Sequence, residues 1–206
     1  MLLPPVYPIT DPLVAGVPTH AELISRLLRG GATWIQIREK KLSDDALLAQ
    51  LKPALERLES GISLIINDRV GLAATAGIAG VHLGQDDAPV AQARAALPKA
   101  IIGISTHSLE QALRAAQLPV DYVSIGPVFP TTTKTGNPPL GLEVVRRVRS
   151  VVAKPLVAIG GISPANAAQL WKLGVETVAV VSDIMRSADM EGRVRRYLQL
   201  WSDLHA

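Results

Sequence analysis

Short apolar runs alternate with longer amphipathic segments from one end of the chain to the other. The runs are Val6–Thr10, Trp34–Arg38, Leu64–Asn67, Gly80–Leu83, Ile101–Ser105, Tyr122–Gly126, Leu156–Ile159 and Thr177–Val181. They are rich in Val and Ile and mostly end in polar residues or glycine, which predicts buried strands. The segments between them place apolar residues at helical spacing: Thr19–Arg29, Ser43–Leu58, Val70–Ala76, Val90–Ala96, Leu109–Ala116, Gly141–Val151, Ala165–Leu173 and Glu191–Leu204. Thr19 suits a helix cap, and Ser43-Asp44-Asp45 is a good helix start. Pro53 predicts a kink or an early end in the second helix.

Strict alternation of strands and helices implies parallel strands joined by helical crossovers. Eight such units over residues 1–206 predict a single-domain (β/α)8 TIM barrel, with an open doubly wound sheet as the rival that periodicity cannot exclude. The longest loop, Pro127–Pro139, is rich in Thr, Lys, Gly and Pro. A loop of that length inside a compact domain is more often functional than idle.

Composition narrows the class. Hydrophobic residues make up 48% of the chain, enough for a packed core and too many for a disordered one. Aromatics are only 3%, which predicts a core of Ala, Val, Ile and Leu. Cysteine is absent, which excludes disulfide scaffolds, Cys-ligated metals and thiol nucleophiles and fits a reducing, cytoplasmic setting. The N-terminal MLLPPVYPITD lacks the pattern of a signal peptide, and no run approaches the roughly 20 apolar residues of a membrane helix. A net charge of +3 is too small for a nucleic-acid footprint. The arginines at 146, 147 and 149 and at 193, 195 and 196 read as solvated helix faces. Small-molecule substrates are the expected partners, without nucleic acid or membrane, and a homo-oligomer is compatible with this reading. P-loop, G-x-G-x-x-G, G-x-S-x-G and H-E-x-x-H motifs are missing.

The uncommon polar residues collect where strands end. They include Gln36, Arg38 and Lys40 after the second strand, Asn67 and Asp68 after the third, and His82, Asp86 and Asp87 around the fourth. Ser105 and His107 follow the fifth, Thr131, Thr133 and Lys134 lie on the long loop, and Gly160, Gly161, Val181 and Ser182 close the series. In a parallel barrel all of these face the C-terminal mouth, where active sites are built. Gln36, Arg38 and Lys40 share a strand face and would send an amide and two cations into the barrel interior. Buried cations need partners, so an internal salt bridge and an anionic ligand are the two readings, the second favoured by Lys134. Asp68, Asp86 and Asp87 suit acid–base work or a hard cation such as Mg2+ held together with phosphate. One of Asp86 and Asp87 is expected to cap the following helix while the other reaches the mouth. Spacing does not choose between them. Gly160-Gly161 and Val181-Ser182 occupy the place where barrels hold a phosphate on backbone N–H groups. His82 and His107 are secondary candidates for proton transfer.

The ordered motifs Tyr7-Pro8-Ile9-Thr10-Asp11, Gln36-Ile37-Arg38-Glu39-Lys40, Ile66-Asn67-Asp68, Gly80 to Asp87, Gly103 to His107, Gly126 to Lys134, Ile159 to Ile162 and Val180-Val181-Ser182 resemble the thiamine-phosphate synthase family over nearly the whole chain. The resemblance implies a Mg2+-assisted transferase. It would join 4-amino-2-methyl-5-hydroxymethylpyrimidine diphosphate to 4-methyl-5-hydroxyethylthiazole phosphate, giving thiamine phosphate and diphosphate. It implies that Gln36, Arg38, Lys40, Asn67, Ser105 and Lys134 bind the pyrimidine diphosphate, with Arg38, Lys40 and Lys134 catalytic. Asp68 and Asp87 would ligate Mg2+. Thr131, Thr133, Gly161, Val181 and Ser182 would bind the thiazole phosphate. Asp183 departs from the small apolar residue usual for the family and is expected to point away from the phosphate or to cap the next helix. A thiazole tautomerase of the same fold and a non-catalytic phosphate-binding barrel are the alternatives.

Overall fold

The computed structural model describes residues 3–131, 133 and 138–206. Eight parallel strands close into a barrel in sequence order. They are β1 (Val6–Thr10), β2 (Trp34–Ile37), β3 (Ser63–Asn67), β4 (Gly80–Leu83), β5 (Ile101–Thr106), β6 (Tyr122–Ile125), β7 (Leu156–Ile159) and β8 (Thr177–Val180). Closure is made by β1 on β8, with Val6 opposite Val178 and Pro8 opposite Val180, so the open-sheet rival is excluded. The helices are α1 (Pro12–Ala15), α2 (His20–Arg29), α3 (Asp44–Leu55), α4 (Val70–Ala76), α5 (Val90–Ala96), α6 (Leu109–Ala116), α7 (Gly141–Val151), α8 (Ala167–Lys172), α9 (Ser182–Met185) and α10 (Met190–His205).

Two of these helices break the expected one-to-one alternation. α1 and α9 are four residues each and sit just after β1 and β8. Both are too short to show helical periodicity. α1 is instead marked locally: Asp11 accepts the Val14 N–H at 3.1 Å, and Gly16 ends the helix in the left-handed region. Thr19 and Ser43 cap α2 and α3 as expected. Pro53 lies inside α3, which ends two residues later at Leu55, well short of the predicted Leu58.

Alternation along each strand divides the apolar residues into two layers. Ile35, Ile37, Leu64, Ile66, Val81, Ile102 and Val123 face outward and pack under the helices. Tyr7, Ile9, Trp34, Ile65, Tyr122, Val157 and Ala179 fill the barrel interior. The outer layer is aliphatic, as composition predicts, but the inner one is not. Tyr7, Trp34 and Tyr122 meet with ring centroids 5.8–6.2 Å apart. Two of the three contacts are edge-on, the arrangement that aromatic quadrupoles favour. Three large rings fill a narrow barrel, and small neighbours accommodate them. Gly103 on β5 lies against Tyr122, and a Cβ there would overlap the Tyr122 ring.

Gly103→Ala is therefore expected to cost about 3 kcal/mol through overpacking. Gly71→Ala, on α4 with nothing within 4 Å of the added methyl, is expected to stabilise by about 0.5 kcal/mol. Urea unfolding of both variants checks the opposite signs.

Candidate active site

The C-terminal ends of the strands surround one cavity. Gln36, Arg38, Asn67, Ser105, Thr131, Thr133, Gly161, Val181 and Ser182 all line it, as do His82 and His107. Lys40, Asp68 and Asp87 do not line it. Lys134 and Thr132 lie outside the described residues.

The interior reading of the second strand is corrected. β2 ends at Ile37, so Gln36 alone follows Trp34 into the barrel, buried and donating to the Tyr7 hydroxyl at 3.2 Å. Arg38 is half-buried at the mouth, where Nη1 donates to Asp11 Oδ2 at 3.0 Å. Lys40 is exposed and pairs with Asp68. Each cation thus has a carboxylate partner and escapes the cost of an unpaired buried charge.

Asp68 is held at the β3–α4 turn with φ 65°, in the left-handed region, while its N–H donates to the His82 carbonyl at 2.8 Å. Its carboxyl shares a hydrogen bond with that of Asp87. Partial burial and this shared bond push Asp68 above the usual carboxylate range. At Asp87 burial is outweighed by the Asp68 bond, the Gly84 N–H at 2.6 Å and the charges of Lys40 and His82, so its carboxyl is pulled down. Two carboxyls this close need a proton or a cation between them. Their all-oxygen donor set fits a hard divalent cation. Among the described residues no group of three or more His, Cys, Asp or Glu forms a metal cage. Mg2+ does not require one, since one or two carboxylates with phosphate oxygens and water suffice. The expected cap is corrected as well: Pro89 precedes α5, no side chain caps it, and Asp86 is exposed.

The opposite side of the mouth is built from backbone. Gly160 and Gly161 have φ of 101° and 64°. A Cβ on Gly161 would stand 2.8 Å from Phe129 Cβ, so only glycine fits. Val128 and Phe129 donate to the Ile159 and Gly160 carbonyls at 2.9 and 3.0 Å, which fastens the base of the long loop to this turn. Val181 precedes α9 without a side-chain cap on the helix's first-turn N–H groups, and Val181 and Ser182 both line the cavity. Asp183 turns away, accepting from Tyr197 Oη at 2.9 Å and Arg193 Nη1 at 3.4 Å. Arg193 and Arg149, which pairs with Glu176 at 3.0 Å, are therefore half-buried ties and not simply solvated.

A chain of polar contacts crosses the cavity floor. Tyr7 and Tyr122 hydroxyls are 3.3 Å apart, Tyr122 Oη lies 2.8 Å from His82 Nδ1, and His82 Nε2 lies 2.8 Å from Ser105 Oγ. Burial raises both tyrosines, so they stay neutral. His107 Nδ1 is 2.6 Å from the Gly126 carbonyl. Three residues in or beside this arrangement are not singled out as site candidates by the sequence reading. Ser124 lines the cavity two residues beyond Tyr122, a position that alternation alone would have found. Asp11 directly follows β1, where the other strand-end residues follow theirs. His20, fully buried at the start of α2, carries no sequence signal.

The family model described as Thiamine monophosphate synthase matches residues 6–184. The chain is 45% identical over 187 residues to a thiamine-phosphate synthase of Albidiferax ferrireducens, covering 89% of this chain and 85% of that one. It is 39% identical over 202 residues to a thiamine-phosphate synthase of Chloroflexus aurantiacus, covering 96% and 92%. A solved thiamine phosphate pyrophosphorylase from Pyrococcus furiosus superposes with a TM-score of 0.88 at 32% identity, over 98% of this chain and 97% of that one.

Burial pulls the His20 pKa below the ordinary histidine value, with Glu39 and Asp11 opposing and Arg69 reinforcing the shift. An unfolded chain thus takes up a proton at a pH where the folded one does not, and stability is lost as pH falls through the ordinary histidine range. Between pH about 7.5 and about 5 the melting temperature of the native protein should fall further than that of His20→Gln, which cannot titrate. Parallel melting curves would contradict this.

Proposed function

The chain belongs to the thiamine monophosphate synthase family, and on that premise we propose how its barrel mouth carries out the transfer. The protein is a thiamine-phosphate synthase, a transferase. We take residues 1–206 as one catalytic domain working on the two small substrates named above. Among the described residues no helix is long and apolar enough to cross a membrane. We place the enzyme in the cytoplasm, in keeping with its lack of cysteine.

In the proposed reaction the bond between the pyrimidinylmethyl carbon and the diphosphate oxygen breaks, and its electron pair leaves with the diphosphate. The thiazole nitrogen then gives its lone pair to the resulting pyrimidinylmethyl cation, forming the new C–N bond. No protein nucleophile and no proton transfer are required, which matches a mouth rich in charge. Gln36, Asn67 and Ser105 orient the pyrimidine; Gln36 is fixed by its bond to the Tyr7 hydroxyl and Ser105 by its contact with His82. Arg38, Lys40 and Lys134 take up the charge that develops on the departing diphosphate. Lys40, now paired with Asp68, is placed to exchange that carboxylate for a phosphate oxygen. Asp68 and Asp87 would hold Mg2+, which when bound supplies further positive charge to the leaving group. Thr131, Thr133, Gly161, Val181 and Ser182 hold the thiazole phosphate and thereby bring the nitrogen up to the reacting carbon.

The observation that carries this reading is a cavity whose two sides differ in chemistry. Arg38 lines it on the β2 side, with Lys40 on the same turn, and the Gly160-Gly161 turn and the start of α9 line it on the β7 and β8 side. The two ends should respond to different substitutions. Arg38→Ala should lower kcat/KM for the pyrimidine diphosphate about 100-fold. Ser182→Ala should raise KM for the thiazole phosphate only about threefold, because backbone donors remain. Steady-state kinetics with each substrate varied in turn tests the assignment, and equal effects of both variants on both substrates would reject it.

A further inference from the structure

His20 does not touch the cavity, yet both of its side-chain partners flank Arg38. Its Nε2 lies 3.2 Å from Glu39 Oε2, and its Nδ1 lies 2.8 Å from Thr10 Oγ1. A carboxylate only accepts, so the neutral ring carries its proton on Nε2 and donates it to Glu39. Nδ1 then accepts from the Thr10 hydroxyl, which also has the Gln36 carbonyl in reach at 3.1 Å. The same Thr10 oxygen receives the Arg38 N–H at 3.4 Å, and the next residue, Asp11, holds the Arg38 guanidinium. Glu39 Oε1 accepts the N–H groups of Lys41 at 2.5 Å and Leu42 at 3.2 Å, closing the turn that carries Lys40. Arg69 ties the same turn from below through the Glu39 and Leu42 carbonyls at 3.1 and 2.7 Å. Glu39 is thus the keystone of residues 38–42, and His20 is its buried anchor.

We propose that His20 is a positioning residue for the transfer, holding the 38–42 turn so that Arg38 and Lys40 meet the departing diphosphate; the proposal rests on the reading that those two cations take up its charge. A histidine that merely fills core space would affect both substrates alike through stability. An anchor for this turn acts on the diphosphate end alone.

Three substitutions separate the roles. The Gln side-chain amide reaches the position of Nε2 and restores the bond to Glu39, whereas the Asn amide reaches only that of Nδ1. With the purified full chain, Mg2+ and both substrates, His20→Asn and His20→Ala should raise KM for the pyrimidine diphosphate roughly tenfold. His20→Gln should stay within about threefold of the native enzyme, and KM for the thiazole phosphate should move less than about twofold in all three. Equal behaviour of the Gln and Asn variants, or a joint rise of both KM values, overturns the proposal. If His20→Ala does not fold, the Gln–Asn contrast decides. If His20→Asn also fails to fold, Glu39→Gln, which weakens the same bond from the other side, must reproduce the KM split or the proposal falls. Arg38→Ala measured alongside keeps the underlying reading separate. An unchanged pyrimidine diphosphate KM there defeats the Arg38 assignment itself, while a raised KM there with a native value in His20→Asn defeats only the role of His20.

Discussion

Everything at the mouth of this barrel depends on the two-residue alternation of short strands in a closed sheet. Closure by β1 on β8 leaves every strand with two hydrogen-bonded neighbours, so no strand can slip without moving its whole apolar set to the wrong face. The outward residues are buried under helices and the inward ones under three aromatic rings. With both faces committed, the last inward residue of each strand is carried to a defined place. Gln36, Asn67, Ser105 and Ser124 arrive at one cavity from β2, β3, β5 and β6 for that reason.

Charge compensation supplies the second layer of the design. The cations at the β2 end are already balanced, Arg38 by Asp11 and Lys40 by Asp68, and the carboxyl of Asp68 is itself crowded by Asp87. On the proposed reading, these internal partners are exchanged for a diphosphate and a divalent cation without leaving a buried charge bare. The β7–β8 end uses no side-chain cation among the described residues. It relies on a Gly-Gly turn and the start of α9, and Asp183 is drawn off it by Tyr197 and Arg193. On the proposed reading one end takes a leaving group whose charge grows during reaction, and the other a phosphate that is only held.

Much of this was legible in the sequence, because its signals are local and periodic. Strand runs and glycines marked β1 to β8 within a residue or so, and polar strand ends pointed to one face before closure was seen. The features that escaped depend on long-range contacts. The aromatic filling of the barrel could not be read from a low aromatic fraction, because composition does not say where seven residues go. The partners of Arg38 and Lys40 come from β1 and the β3–α4 turn, distant in sequence. α1 and α9 are shorter than a helical period can register. His20 belongs to no sequence motif, and only the packing of α2 against β1 and the 38–42 turn gives it partners.

The central claim is that a metal-assisted departure of diphosphate, not a protein nucleophile, drives product formation at this mouth. Its most direct test is to incubate the purified chain with both substrates and follow thiamine phosphate and diphosphate together, with Mg2+ and then with excess chelator. The account predicts equal amounts of the two products with Mg2+ and loss of both on chelation, restored when Mg2+ is added back. Absence of thiamine phosphate with Mg2+ present, or an undiminished rate in excess chelator, would contradict it.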